Sequence, residues 1–335
     1  MSVRRMAGLV SLLLFLGARF SAAQPAAGIS SADRTRIAEA YRLADKLGDR
    51  LWAGWSKTPF AVLLVTSDRE FLIRHPAPPA DFESLGEDSL LGSRVFSRPR
   101  QFDPHLLATF PFAGTPTVVI GQAESTQART STPWVTTLLH EHFHQVQYSR
   151  PDYQERVKAL GLSRGDSTGM WMLEYPFPYA DSVVSGKFTR MREALLVTLH
   201  APPDSFKSAW SAYLDARRDA QASLRDDDAR YLSFQLWQEG IARYTEVRIA
   251  SMAAAAYRPS AGFRALPDYH SFAKEATAAM SRIERELTIP LPDAKRTAFY
   301  AIGGAEGLLL DRAHPGWQTR YFENMFSVSP ALMPK

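Results

Sequence analysis

The chain has 335 residues, 45% apolar and 22% charged, enough to bury the core of one large domain or two ordinary ones. It contains no cysteine, which excludes disulfides, a cysteine nucleophile, cysteine-based metal sites and a lipidated cysteine anchor. Arg4, Arg5 and Arg19 supply much of the formal net charge of +4; without residues 1–23, 36 basic residues face 35 acidic ones, so no nucleic-acid-binding surface is implied.

Those first residues have the layout of a secretory signal peptide. Arg4 and Arg5 are followed by a short apolar run, Leu9 to Leu16, and by the small residues Ser21, Ala22 and Ala23. The run is too short to cross a bilayer, which needs roughly 20 apolar residues. The expectation is an exported protein, periplasmic or extracellular, with no stable membrane anchor after cleavage.

Residues 31–50 predict a helix, with Ile37, Tyr41, Leu43 and Leu47 among its apolar positions. Phe60 to Thr66 and Glu70 to Arg74 flank Ser67 and Asp68 and predict a hairpin. Strand-like pieces follow at 91–97, 106–112 and 115–121. From residue 132 the periodicity turns helical, over 133–149, 181–200, 204–225, 228–254, 269–287 and 293–313. This order predicts an α+β fold, with an N-terminal mixed α/β lobe over 24–131 and a helical C-terminal lobe over 132–335.

The chemistry centres on Leu139-His140-Glu141-His142-Phe143-His144-Gln145, which contains His-Glu-x-x-His. Residues four apart on a helix lie one turn apart, so His140 and His144 can share one metal ion. Glu141 is turned about 100° from His140 and projects from the same face. Val135, Leu139, Phe143 and Val146 cluster on the opposite face, where they would bury the helix. Thr132 is the expected N-cap, with Pro133 at the first helical position. His142 lies about 200° round from His140 and reads as a packed histidine.

A catalytic zinc takes three protein ligands and keeps one position open. The third is sought among the carboxylates. Glu239 and Glu246 return to within about 20° of each other on one helix face, with Arg243 between them. These residues alone read equally as a surface charge ladder or as a ligand site. Gly240 removes a side chain beside Glu239 and permits a close helix crossing. Glu174, in Trp171-Met172-Leu173-Glu174-Tyr175, is the alternative ligand.

His140 to His144, together with Trp237-Gln238-Glu239-Gly240-Ile241-Ala242-Arg243-Tyr244-Thr245-Glu246, resembles the gluzincin group of zinc metallopeptidases. The resemblance covers about twenty residues, and 95 positions separate His144 from Glu239. It implies a zincin-like fold with the active-site cleft between the two lobes. It implies one zinc ion per chain held by His140, His144 and Glu239, with Glu246 orienting a zinc histidine. It also implies Glu141 as general base and an extended peptide or protein substrate along an edge strand, for which Thr117 to Gly121 is the candidate.

Similar enzymes place a tyrosine late in the helical lobe, facing the zinc. Tyr300, ahead of the small residues Ala301 to Ala305, is the candidate oxyanion donor, against a reading as an ordinary core residue. Tyr244 lies about 140° from Glu239 and reads as packed behind the helix. Two further readings remain beside the peptidase: another zinc-dependent hydrolase, and a zinc-binding non-catalytic protein.

Overall fold

The computed structural model describes residues 28–166 and 168–332. The expected signal peptide lies outside them. Helix α1, Ser31–Leu51, opens on Ser30, whose hydroxyl accepts the Asp33 N–H at 3.1 Å. Six strands follow: β1 Val62–Val65, β2 Arg69–Ile73, β3 Glu83–Asp88, β4 Ser93–Pro99, β5 Leu107–Phe112 and β6 Thr115–Gly121. They form one mixed sheet in the order β3-β4-β2-β1-β6-β5, in which only β1 and β6 are parallel. The β1–β2 hairpin is as expected. The sequence reading missed β3, an exposed polar strand interrupted by a bulge between Ser84 and Gly86.

Strand alternation sorts the sheet's side chains. Val118 and Ile120 join the main core, whereas Val119 joins a smaller cluster with Leu63, Val65 and Leu72 on the other face. β6 lies between β1 and β5, so it has no free edge for a substrate. That corrects the expectation for Thr117 to Gly121. β5 is the outer strand on that side. The Gly121 N–H donates to the Leu106 carbonyl, and β5 pairs with β6 in the register Ala108 to Val119. Leu107, Thr109 and Pro111 therefore turn their backbone groups outward.

Helix α2, Ser131–Tyr148, follows β6 closely. A methyl group on Gly121 would lie 1.8 Å from the Pro104 carbonyl oxygen, so only glycine fits there, and the Trp134 indole donates to the Gly121 carbonyl at 2.8 Å. Val135, Leu139, Phe143 and Val146 are all fully buried, as the wheel predicts, each worth about 1.5–3 kcal/mol of hydrophobic stabilisation. The helix starts one residue before the expected cap. Thr130 holds the cap position without a side-chain bond, and the Thr132 hydroxyl donates instead to the His270 carbonyl. Asp268 does the capping from across the fold, accepting the Ser131 N–H at 2.9 Å and its hydroxyl at 2.6 Å.

The remaining helices are α3 Tyr153–Ala159, α4 Trp171–Glu174, α5 Ser182–His200, α6 Pro203–Ala222, α7 Asp226–Gln235, α8 Ile241–Ala256, α9 Ala261–Arg264, α10 Phe272–Thr288, α11 Leu291–Ala294, α12 Ala298–Ala313 and α13 Ser329–Leu332. The helix expected over 228–254 runs on as α7 and α8 through one π turn, Leu236–Gly240, whereas a corner at Lys295 breaks the other expected long helix into α11 and α12. α8 packs against α1, α2, α10 and α12. One continuous core runs from Val62 and Leu64 through α2 to Phe299, so sheet and helices share it. The fold is α+β. No helix among the described residues is long and apolar enough to cross a membrane.

Candidate metal centre

Two elements converge on one point. α2 presents His140 and His144, with ring centroids 5.0 Å apart and planes at 82°. The π turn brings Glu239 against them, its Oε2 3.3 Å from His144 Nε2 and 3.8 Å from His140 Nε2. One ligand atom from each lies within 4.8 Å of the others, and this group could hold a metal ion. Glu174 is exposed on α4 and stands outside the group.

Both imidazoles are held from behind. Glu246 Oε2 lies 3.6 Å from His140 Nδ1. Gln147 Oε1 accepts from His144 Nδ1 at 2.7 Å. The Gln147 amide is fixed in that sense because its nitrogen donates to the Trp237 and Gln238 carbonyls. With each Nδ1 turned toward an oxygen behind it, each Nε2 faces Glu239, and a metal ion between them would take the place of the Nε2 proton. Gln147 was missed in the sequence, although its position three residues after His144 is a signal of the same helical kind as the motif.

Charge supports the arrangement. Burial alone would lower the His140 pKa, but Glu239 and Glu246 outweigh it and hold the ring up at about 9. Burial would raise Glu239, yet His144, His140 and Arg296 keep it well below the usual carboxylate range. Glu246 is likewise held low against its burial, by Arg243, His140 and Arg282, with Arg282 at 2.8 Å and Arg243 at 3.2 Å. Both carboxylates are therefore ionised.

Glu141 stands beside this group, buried in the side of a cavity of about 290 Å³ shared with His140, Arg243, Glu246, Arg282 and Tyr300. A larger cavity of about 440 Å³ around His314 and Trp317 touches none of them. The Thr109 hydroxyl, on the edge strand β5, shares its one hydrogen between the Glu141 backbone carbonyl at 2.8 Å and Glu141 Oε2 at 2.9 Å. Sequence reading missed Thr109 because its partner lies 32 positions away.

The aromatic assignments divide. The Tyr300 ring lies parallel to His140, 6.2 Å away, and its hydroxyl accepts from Arg296 at 2.8 Å. Burial and the Glu239 carboxylate push its pKa well above 10, so it keeps its proton. Tyr244 packs behind the helix as expected, donating to Asp311 at 2.9 Å. His142 is buried and stacked on Phe60 at 3.7 Å, and burial drives its pKa down to about 3. It is a packed neutral histidine, outside the metal group.

The chain matches no protein-family model, no curated protein and no solved structure. The meaning of this centre rests on its geometry and donor chemistry.

Proposed function

We propose that the chain is a zinc-dependent peptidase of the gluzincin type, with a zincin-like fold and its cleft beside β5. The observation that carries this reading is the meeting of His140, His144 and Glu239, from α2 and a distant helix, with Glu141 alongside. Two imidazoles and one carboxylate suit zinc and leave a coordination position open. When bound, zinc supplies a Lewis acid to the reaction.

The chain's own residues do the rest. Glu141 accepts a proton from the attacking water and passes it to the leaving amine. Thr109 holds one of its oxygens and leaves the other to act as the acceptor. Tyr300, still protonated, donates to the oxyanion that develops on the scissile carbonyl. An extended peptide pairs with the outward backbone groups of Leu107 and Thr109 on β5. Export from the cytoplasm, proposed from Arg4, Arg5 and the apolar run behind them, would give such an enzyme periplasmic or extracellular peptides to act on.

The test is digestion of casein and a peptide library by purified protein, before and after chelation and zinc return. Zinc-dependent cleavage is expected, and Glu141→Gln should bind zinc yet lose nearly all of it. Cleavage of esters but no peptides would overturn the peptidase reading. Zinc binding with no turnover of either would favour a non-catalytic protein.

A further inference from the structure

Arg296 belongs to no motif, and nothing in the proposed chemistry has yet used it. It sits in the short break between α11 and α12. The residue before it, Lys295, has φ 47° and ψ −130°, a conformation that side chains with a Cβ rarely adopt. Such conformations persist only where the surroundings hold them, and they gather at functional sites. The corner turns the chain so that Arg296 reaches back over the first turn of α12.

There its Nη1 lies 2.8 Å from the Tyr300 hydroxyl and 3.4 Å from Glu239 Oε1. A guanidinium has five N–H donors and no acceptor. In this contact the Tyr300 oxygen must therefore be the acceptor. Its own proton is left for a different partner, and the direction in which it points is set by the bond to Arg296. The same guanidinium faces Glu239, so the hydroxyl and the metal-ligating carboxylate are referenced to one rigid plane.

We propose that Arg296 is a positioning residue, which fixes the Tyr300 hydroxyl as the proton donor to the oxyanion and registers it against Glu239. This rests on the peptidase reading for its substrate, though not for its geometry. Arg296 acts through Tyr300 and touches no reacting atom.

The test is a double-mutant cycle with Arg296→Met, Tyr300→Phe and the double variant, and with Arg296→Lys as the conservative change. Arg296→Met should lower kcat on peptides by about 10–100-fold with KM nearly unchanged. In the Tyr300→Phe background it should cost less than about twofold. Lys supplies one donor in place of a fork, so partial recovery is expected. Zinc affinity of each variant is measured alongside.

A second readout uses methylphosphonate, a tetrahedral oxyanion, binding to the zinc-loaded protein. Its affinity should fall about tenfold in each single variant and no further in the double. Equal losses from Arg296→Met with and without Tyr300 would overturn the proposal. So would a loss that excess zinc restores, because Arg296 would then serve Glu239 alone. If the wild type cleaves no peptide, the peptidase reading falls. The methylphosphonate cycle then decides by itself: non-additive losses uphold the positioning role, and additive losses overturn it.

Discussion

A methyl group on Gly240 would lie 2.5 Å from the Cα of Gly303. The π turn that carries Glu239 and the helix that carries Tyr300 therefore touch backbone to backbone. Gly240→Ala should separate them, costing about 1–3 kcal/mol of stability by overpacking and weakening zinc binding with it. Denaturant titration and zinc affinity on the same variant check this. Wild-type values for both would mean that the close approach does not set the site.

The metal group predicts a graded series. His140→Ala, His144→Ala and Glu239→Ala should each strip the zinc, because two ligands hold it weakly. Glu246→Ala and Gln147→Ala should weaken it only about 10–100-fold, since each acts by orienting a histidine. Metal analysis after dialysis ranks them. Zinc lost in Glu174→Ala and kept in Glu239→Ala would sink the assignment.

Turnover should separate from metal binding at two other positions. Tyr300→Phe is expected to lower kcat about 10²–10³-fold at unchanged zinc content. Thr109→Val should cost about tenfold by freeing the Glu141 carboxylate. Steady-state kinetics beside metal analysis read both. A large loss in Tyr244→Phe instead would shift the donor role to that residue.

Asp268 gives a pH prediction. Burial would raise its pKa, but bonds from Ser131 and the charge of Arg36 outweigh this and hold it low. A carboxylate with a depressed folded pKa contributes stability above its unfolded pKa near 3.9, and loses it as pH falls through the folded value. Asp268→Asn should cost about 1–2 kcal/mol at pH 7. The gap to wild type should close below about pH 4. A gap constant down to pH 3 in unfolding curves would show that the charge is not what matters.

What could be read in advance was what a single helix encodes. His140, Glu141 and His144 are fixed by one periodicity, and the buried back face by the same one. The i+7 spacing of Glu239 and Glu246 left a charge ladder and a ligand site equally open, the resemblance to gluzincins favoured the ligand, and the π turn that carries Glu239 left no signal. Thr109, Asp268 and Arg296 escaped because each meets its partner across the fold or around a strained corner. β3 escaped because Glu83 to Asp88 is polar on both faces. β6 was mistaken for the edge because apolar, β-branched sequence marks a strand's burial, and an interior strand is the more buried one.

The outward N–H groups of β5 end at Pro111, whose nitrogen bears no hydrogen. The other edge strand, β3, carries Glu83, Glu87, Asp88 and a bulge. Open strand edges invite copies of a protein to zip together, and charge, bulges and prolines on an edge oppose this. Both margins of this sheet are blunted in that way, by different means. At β5 only Leu107 and Thr109 can donate, enough to greet a short guest strand and too few to template a growing sheet. The chain should therefore stay free of edge-to-edge aggregation at high concentration while keeping one margin open beside Glu141.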